Sequence, residues 1–374
     1  MAVELADIFR HYGEAYRQKY AARMPATHLK VMRAIEQCRT EALGGQVYCC
    51  PNCEHVQYSY HSCRNRHCPK CQNENAQRWL EKQADFLLPV PYFMLTFTLP
   101  AGFNEVIRCH QSLIYDLLFK TSAAATQQLA QDPRFIGGQI GMVGVLHTWG
   151  RNLAYHPHIH YLVPAGGLAS DGKTWLPARQ NFLLPVRALS KIFRGKLHQA
   201  LRDTSCYAHI PAKVWKQKWV VHCEPVGTGL GALKYLAPYI FRVAISNNRI
   251  LKLENDRVTF RYRDTETGAE RFCTLEAEEF IHRFLQHVLP KGFVKVRYYG
   301  LFSPGLRKPL TALRQRLQGT TSAHPSLLDN LDGNSQVDGL QTELASSAHL
   351  IQCPICGHPM LPGPFISATG LSPP

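Results

Sequence analysis

The sequence predicts an α+β protein: an antiparallel β-sheet domain flanked by helices, preceded by a helical, zinc-ribbon-like module. Three observations predict it. Residues 4–42 carry apolar side chains at helical spacing, and six of the 13 cysteines fall between Cys49 and Cys71. From Pro91 onward short strand-like runs dominate, two of them joined by a tight turn.

Taken in order, Ile8, Tyr12, Tyr16 and Tyr20 recur every four residues and predict a helix over 4–20. A second helix is expected over 27–42, opened by Pro25 and Thr27 and stopped by Gly44-Gly45. After the cysteine cluster, "ENAQRWLEKQADFLL" reads as a helix. "YFMLTFTLP" (92–100) reads as a strand, and 104–130 as a helix. "QIGMVGVLHTWG" (139–150) and "AYHPHIHYLV" (154–163) read as a hairpin. A basic amphipathic helix is expected over 186–204 and a strand over 218–226. The stretch "LGALKYLAPYIFRVAIS" is expected to be a helix, with Pro238 as a bend or a start. Strands at 249–254, 257–263 and 270–275, a helix at 276–289 and a strand at 293–299 complete the ordered part. Residues 319–349, rich in Ser, Thr, Gly and Asp, read as a flexible linker. The expected divisions are 1–90, helical and zinc-binding; 91–250, the sheet domain; 251–318, a β-meander with a helix; and 319–374, linker plus a leftover cysteine knuckle.

The chain carries 42 Lys and Arg against 27 Asp and Glu, a net charge of +15 in 374 residues. Such an excess suits a polyanion, with nucleic acid ahead of an anionic membrane. The plain alternative is a basic surface with no such partner. The start is charged throughout and has no signal-peptide core, and "FLLPVPYFML" is too short to span a bilayer. A soluble intracellular protein without a membrane partner is therefore expected. In that compartment cysteines serve as metal ligands or buried thiols.

Cys50-x2-Cys53 and Cys68-x2-Cys71 form two knuckles that suit one tetrahedral zinc, each biting the ion with two thiolates from a tight turn. Cys49, His61, Cys63 and His67 are left over and can swap in as ligands, Cys63 and His67 foremost, or build a second site. Arg64, Arg66, Lys70 and Arg78 surround the module and are expected to face DNA. Cys353 and Cys356 supply half a zinc site, incomplete unless cysteines join it from elsewhere. The scattered Cys38, Cys109, Cys206, Cys223 and Cys273 read as small buried hydrophobes.

His156, His158 and His160 alternate with Pro157, Ile159 and Tyr161, so on a strand all three rings share one face. Such a face can be a metal site, an anion site or a wet sheet surface. Pairing the two strands through a 151–154 loop sets His147 opposite His158, a candidate third ligand with His156 in reserve; a slip of one residue would undo the pairing. Two or three neutral nitrogens favour Mn²⁺ or Zn²⁺, and Mg²⁺ serves if phosphate and water complete its shell. Tyr235 and Tyr239 lie at i and i+4, on one face of a helix, a spacing that ordinary packing also produces.

In combination, "CRNRHCPKCQ", "FTLP", "LHTWG", "HPHIHYLVPAGG", "KYLAPYIFRVAISNNR" and "EFIHRFLQHVLPKGFVKVRYYG" appear in order across residues 1–310. Together they resemble the two-tyrosine rolling-circle transposases of bacterial insertion sequences, within the HUH endonuclease superfamily. The letters stand for His-hydrophobic-His, here His158-Ile159-His160. The resemblance implies an antiparallel sheet with the histidine strand central and the tyrosine helix alongside. It implies that His158 and His160 hold a divalent cation, Mg²⁺ or Mn²⁺, and that Tyr235 and Tyr239 are nucleophiles. The implied activity nicks and rejoins single-stranded DNA at the element's own ends through a 5′-phosphotyrosine. Alternatives are a replication initiator or relaxase of the same superfamily, a non-catalytic zinc-dependent DNA-binding protein, and a phosphodiesterase that uses water.

Overall fold

A computed structural model describes residues 3–71, 87–228, 231, 244–264, 267–321 and 351–368. Its strands, in chain order, are β1 (Gly45–Cys49), β2 (Val56–Tyr60), β3 (Pro91–Thr98), β4 (Gly141–Trp149), β5 (Tyr155–Pro164), β6 (Gly166–Leu168), β7 (Trp175–Pro177), β8 (Val221–Thr228), β9 (Ile250–Glu254), β10 (Arg257–Arg263), β11 (Glu270–Glu276), β12 (Val296–Gly300) and β13 (Leu361–Ile366). Packing sorts the chain into two compact units. One comprises residues 1–36 and 64–318, the other residues 37–63 and 319–374.

The larger unit is built on a five-stranded antiparallel sheet, order β12-β4-β5-β3-β8. The fold is mixed α and β with antiparallel sheets and a helical, cysteine-bearing N-terminal region, as the sequence predicts. The strand that carries the histidines is the central one. Its odd-numbered residues explain why. Tyr155, Ile159, Tyr161 and Val163 enter one large apolar cluster with Phe93, Leu95 and Phe97 of β3 and with Ile114, Leu118 and Phe119 of the Gln111–Ala130 helix. Leu189, Phe193, Leu197 and Leu201, at 4-residue steps along the Val186–Arg202 helix, close over the same face. Burial of each such side chain contributes about 1.5–3 kcal/mol relative to exposure, so this face fixes which way β5 points.

Polar groups within that core are paired. Tyr161 Oη meets Ser122 Oγ at 2.8 Å and donates toward the Phe119 carbonyl at 3.2 Å, and the hydroxyls of Tyr115 and Tyr155 meet at 2.5 Å. The expected 104–130 helix is two helices, Asn104–Cys109 and Gln111–Ala130. They are broken at His110, whose φ of −130° and ψ of 41° leave the helical region.

The opposite face of the sheet is divided. At one end Tyr92, Met94, Val145 and Leu162 pack with Leu301, Phe302, Leu310 and Leu313. At the other end the face carries histidines. A three-stranded meander, order β11-β10-β9, and the Ala277–Leu285 helix belong to the same unit. The Leu5–Tyr20 helix packs on Ala277–Leu285, with Phe9 edge-on to Phe284 at 5.4 Å.

The smaller unit is a three-stranded antiparallel sheet, order β13-β1-β2. Sequence periodicity misses it because its strands are five or six residues long and two of them, β2 and β13, are largely exposed. The linker expected at 319–349 lies mostly outside the described residues, as does the helix expected around Tyr235. No helix among the described residues is long and apolar enough to cross a membrane.

Candidate metal centres

His147, His158 and His160 come together. Their nearest ring nitrogens all lie within 4.8 Å of one another. The hairpin supplies the geometry: β4 and β5 pair with His147 directly opposite His158. The expected register holds there. It then shifts between His147 and Trp149, so that Trp149, not Gly150, faces Tyr155. Next to it Val145 faces His160, and on the other side Thr96 of β3 faces His160. The His158 and His160 ring centroids stand 4.8 Å apart, and those of His147 and His160 stand 4.9 Å apart. His156 lies one step further along the strand, its ring 5.2 Å from His158, and is not part of the trio.

The hydrogen bonds set the tautomers. His158 Nδ1 lies 2.6 Å from the His156 carbonyl oxygen. A carbonyl only accepts, so Nδ1 carries the proton and the Nε2 lone pair is left for an ion. Thr96 Oγ1 lies 3.0 Å from His160 Nδ1, and with Nδ1–H donating to that hydroxyl it is Nε2 that would face an ion. Burial pushes His158 down to about 4, so at neutral pH the ring is in the uncharged form a cation requires. His147, 3% exposed, stacks on Trp149 at 4.7 Å, and the Lys295 ammonium sits 5.1 Å from the Trp149 ring centre. These donors fit a divalent ion: three clustered imidazoles, two with their second nitrogen engaged. Thr96 was not singled out by sequence, since a lone threonine in a strand carries no signal until its cross-strand partner is known.

The cysteines group differently from the expectation that Cys50, Cys53, Cys68 and Cys71 share one ion. Cys50 and Cys53 stand with Cys353 and Cys356, the four thiols within 4.8 Å of one another. Sequence proximity misled here, because β13 and the second knuckle return to β1 from some 300 residues away. Cys38 is buried, as expected of a small hydrophobe, whereas Cys109 is exposed. His67 Nε2 accepts the Leu289 N–H at 3.4 Å. Four sulfurs bound to zinc at about 2.3 Å stand about 3.8 Å apart, so the group of Cys50, Cys53, Cys353 and Cys356 has the donors and spacing of a tetrathiolate site.

Of the basic residues expected to face DNA, Lys70 pairs with Glu4 at 2.5 Å, and the Arg66 guanidinium donates to the Phe293 carbonyl at 2.7 Å. Arg64 is exposed, and Arg78 lies outside the described residues. So do Tyr235 and Tyr239. The tyrosines nearest the histidine strand in the core, Tyr115 and Tyr161, are fully buried, and burial raises both phenols far above their ordinary range.

Comparison with known proteins agrees with both halves of this architecture, and the class it defines is a transposase with a zinc-binding domain. A family profile described as a transposase zinc-binding domain matches residues 8–99, and one described as a putative transposase matches residues 141–309, which contain all three clustered histidines. The chain is 40% identical over 373 residues to the putative transposase y4qJ of Sinorhizobium fredii, a match covering 94% of this chain and 92% of that one. It is 29% identical over 283 residues to the transposase for insertion sequence element IS801 of Pseudomonas savastanoi pv. phaseolicola, covering 71% and 68%. No solved structure matches. The chain belongs to the family of insertion-sequence transposases that includes these relatives.

Proposed function

We propose that this transposase nicks and rejoins single-stranded DNA at the ends of its own element, in the manner of an HUH enzyme, with Tyr235 and Tyr239 as nucleophiles. The observation that supports it most is the trio of imidazoles on the central hairpin, with His158 held as the Nδ1–H tautomer by the His156 carbonyl. His147, His158 and His160 would hold Mg²⁺ or Mn²⁺, which would neutralise charge on the non-bridging oxygens of a bound phosphodiester. The phenol oxygen of Tyr235 or Tyr239 attacks phosphorus in line. A P–O bond to tyrosine forms, the bond to the 3′-oxygen breaks, and the phenol proton is lost as the 3′-hydroxyl gains one. The 5′-phosphotyrosine keeps the energy of the broken ester, so a second 3′-hydroxyl can reverse the step and join strands. A free phenol with a pKa near 10 needs a positive neighbour to react at neutral pH. The +15 net charge suits a single-stranded polyanion held by phosphate contacts.

The test incubates purified protein and labelled single-stranded oligonucleotides from the element's ends with Mg²⁺ or Mn²⁺. A denaturation-resistant adduct mapping to Tyr235 or Tyr239, and absent from the double Tyr→Phe variant, is the expected result. Cleavage with no adduct indicates a water nucleophile and overturns the proposal, as does DNA binding with no cleavage by a metal-loaded, folded protein.

A further inference from the structure

The two knuckles of the smaller unit are the same motif written twice. Cys50-Pro51-Asn52-Cys53-Glu54-His55 and Cys353-Pro354-Ile355-Cys356-Gly357-His358 share Cys-Pro-x-Cys-x-His. They also share a backbone. The Cys50 N–H donates to the His55 carbonyl at 2.8 Å, and the Glu54 N–H to the Cys50 carbonyl at 3.0 Å. In the second knuckle the Cys353 N–H donates to the His358 carbonyl at 2.8 Å, and the Gly357 N–H to the Cys353 carbonyl at 2.9 Å. Each turn reverses through a left-handed residue, Glu54 at φ 56° and Gly357 at φ 72°. Such a turn presents two thiols on one side, and the two turns face each other. Cys50 Sγ lies 3.5 Å from Cys356 Sγ, and Cys53 Sγ lies 3.5 Å from Cys353 Sγ. That is too long for a disulfide, whose sulfurs are about 2.05 Å apart, and close to the edge of a zinc tetrathiolate.

The rest of the unit gives the ion a task. Among the described residues its apolar cluster has Cys50, Cys353 and Met360 buried, with Tyr48 and Ile351 beside them. Tyr58, Ile355, Leu361 and Phe365 are 57–82% exposed. So little apolar burial does not hold a small module together, and in such modules a metal supplies the missing stability. The family profiles match residues 8–99 and 141–309, and neither reaches the second knuckle.

We propose that Cys50, Cys53, Cys353 and Cys356 bind a structural zinc ion, and that this ion clasps the segment bearing β13 to β1. Binding replaces four S–H bonds by four Zn–S bonds and releases four protons to solvent.

Metal analysis of the purified full chain tests it. The double variant C353S/C356S is expected to hold one zinc ion fewer than the wild-type chain. Cobalt reconstitution provides a second measurement that does not depend on losing ligands. Cys356→His, which keeps four donors at an exposed position, should retain the wild-type metal content while one set of the tetrahedral cobalt absorption bands shifts. An unchanged zinc content in C353S/C356S, or a cobalt spectrum that Cys356→His leaves unaltered, would each overturn the proposal.

Discussion

The imidazole of His160 is held by a hydroxyl of the next strand. Thr96 Oγ1 holds His160 Nδ1 at 3.0 Å from the neighbouring strand. Thr96→Val keeps the shape of the side chain and removes the partner, so divalent-cation affinity should drop by about 10–100-fold with the melting temperature little changed, as isothermal titration and thermal unfolding would show. His158→Ala should remove metal-dependent cleavage altogether. A different histidine reports on pH. His287 is fully buried, receives the Thr148 hydroxyl at Nδ1 and donates from Nε2 to the Leu153 carbonyl, and burial pushes it down to about 4. Its unfolded value is about 6.5, so between about pH 4 and 6.5 the unfolded chain binds more protons. Stability present above pH 6.5 is therefore lost as the pH falls through that window, by about 3 kcal/mol at most from this residue. Urea titrations at pH 7 and pH 4.5 should show the fall, and His287→Gln should flatten it.

Among the elements, the β4–β5 hairpin was the most legible in sequence. Alternation of polar and apolar residues over 155–163 defined both faces, and the short loop fixed the register at His147 and His158. Sequence did not show what lies under that hairpin. Gly144 faces Tyr161 across the pair, and a Cβ there would come within 2.4 Å of Tyr161 Cε1 and 3.1 Å of Phe119 Cε1. The glycine makes room for a buried ring locked by Ser122 and Phe119. Gly144→Ala should cost about 1–3 kcal/mol by overpacking, measured as a lowered denaturant midpoint. The cysteine knuckles show the reverse case. Each was legible as a pair, but the pairing of pairs was not, because nothing in residues 49–71 reveals a partner strand near 361. The repeated Cys-Pro-x-Cys-x-His pattern was the available signal.

For the whole molecule, charge is the property most open to measurement. A net charge of +15 predicts that affinity for single-stranded oligonucleotides falls steeply with salt, log K declining by about 0.7 per phosphate contact for each decade of salt. Fluorescence anisotropy between 50 and 200 mM salt would show it, and a flat response would argue against a phosphate-dominated interface. Composition made this property legible from the start. Architecture was legible in part: periodicity gives most of the helices and strands described over 91–228 and 249–300, β6 and β7 excepted, while the union of residues 37–63 with a segment beyond 350 follows only from strand pairing.

That union has a consequence in time. Cys53 and Cys353 are 300 positions apart. At about 5–20 residues per second, a ribosome takes roughly 15–60 s to travel between them. Throughout that interval β1 and β2 wait without their third strand. A nascent copy cut short by a premature stop codon would never acquire it, so the smaller unit can close only once translation has passed the second knuckle.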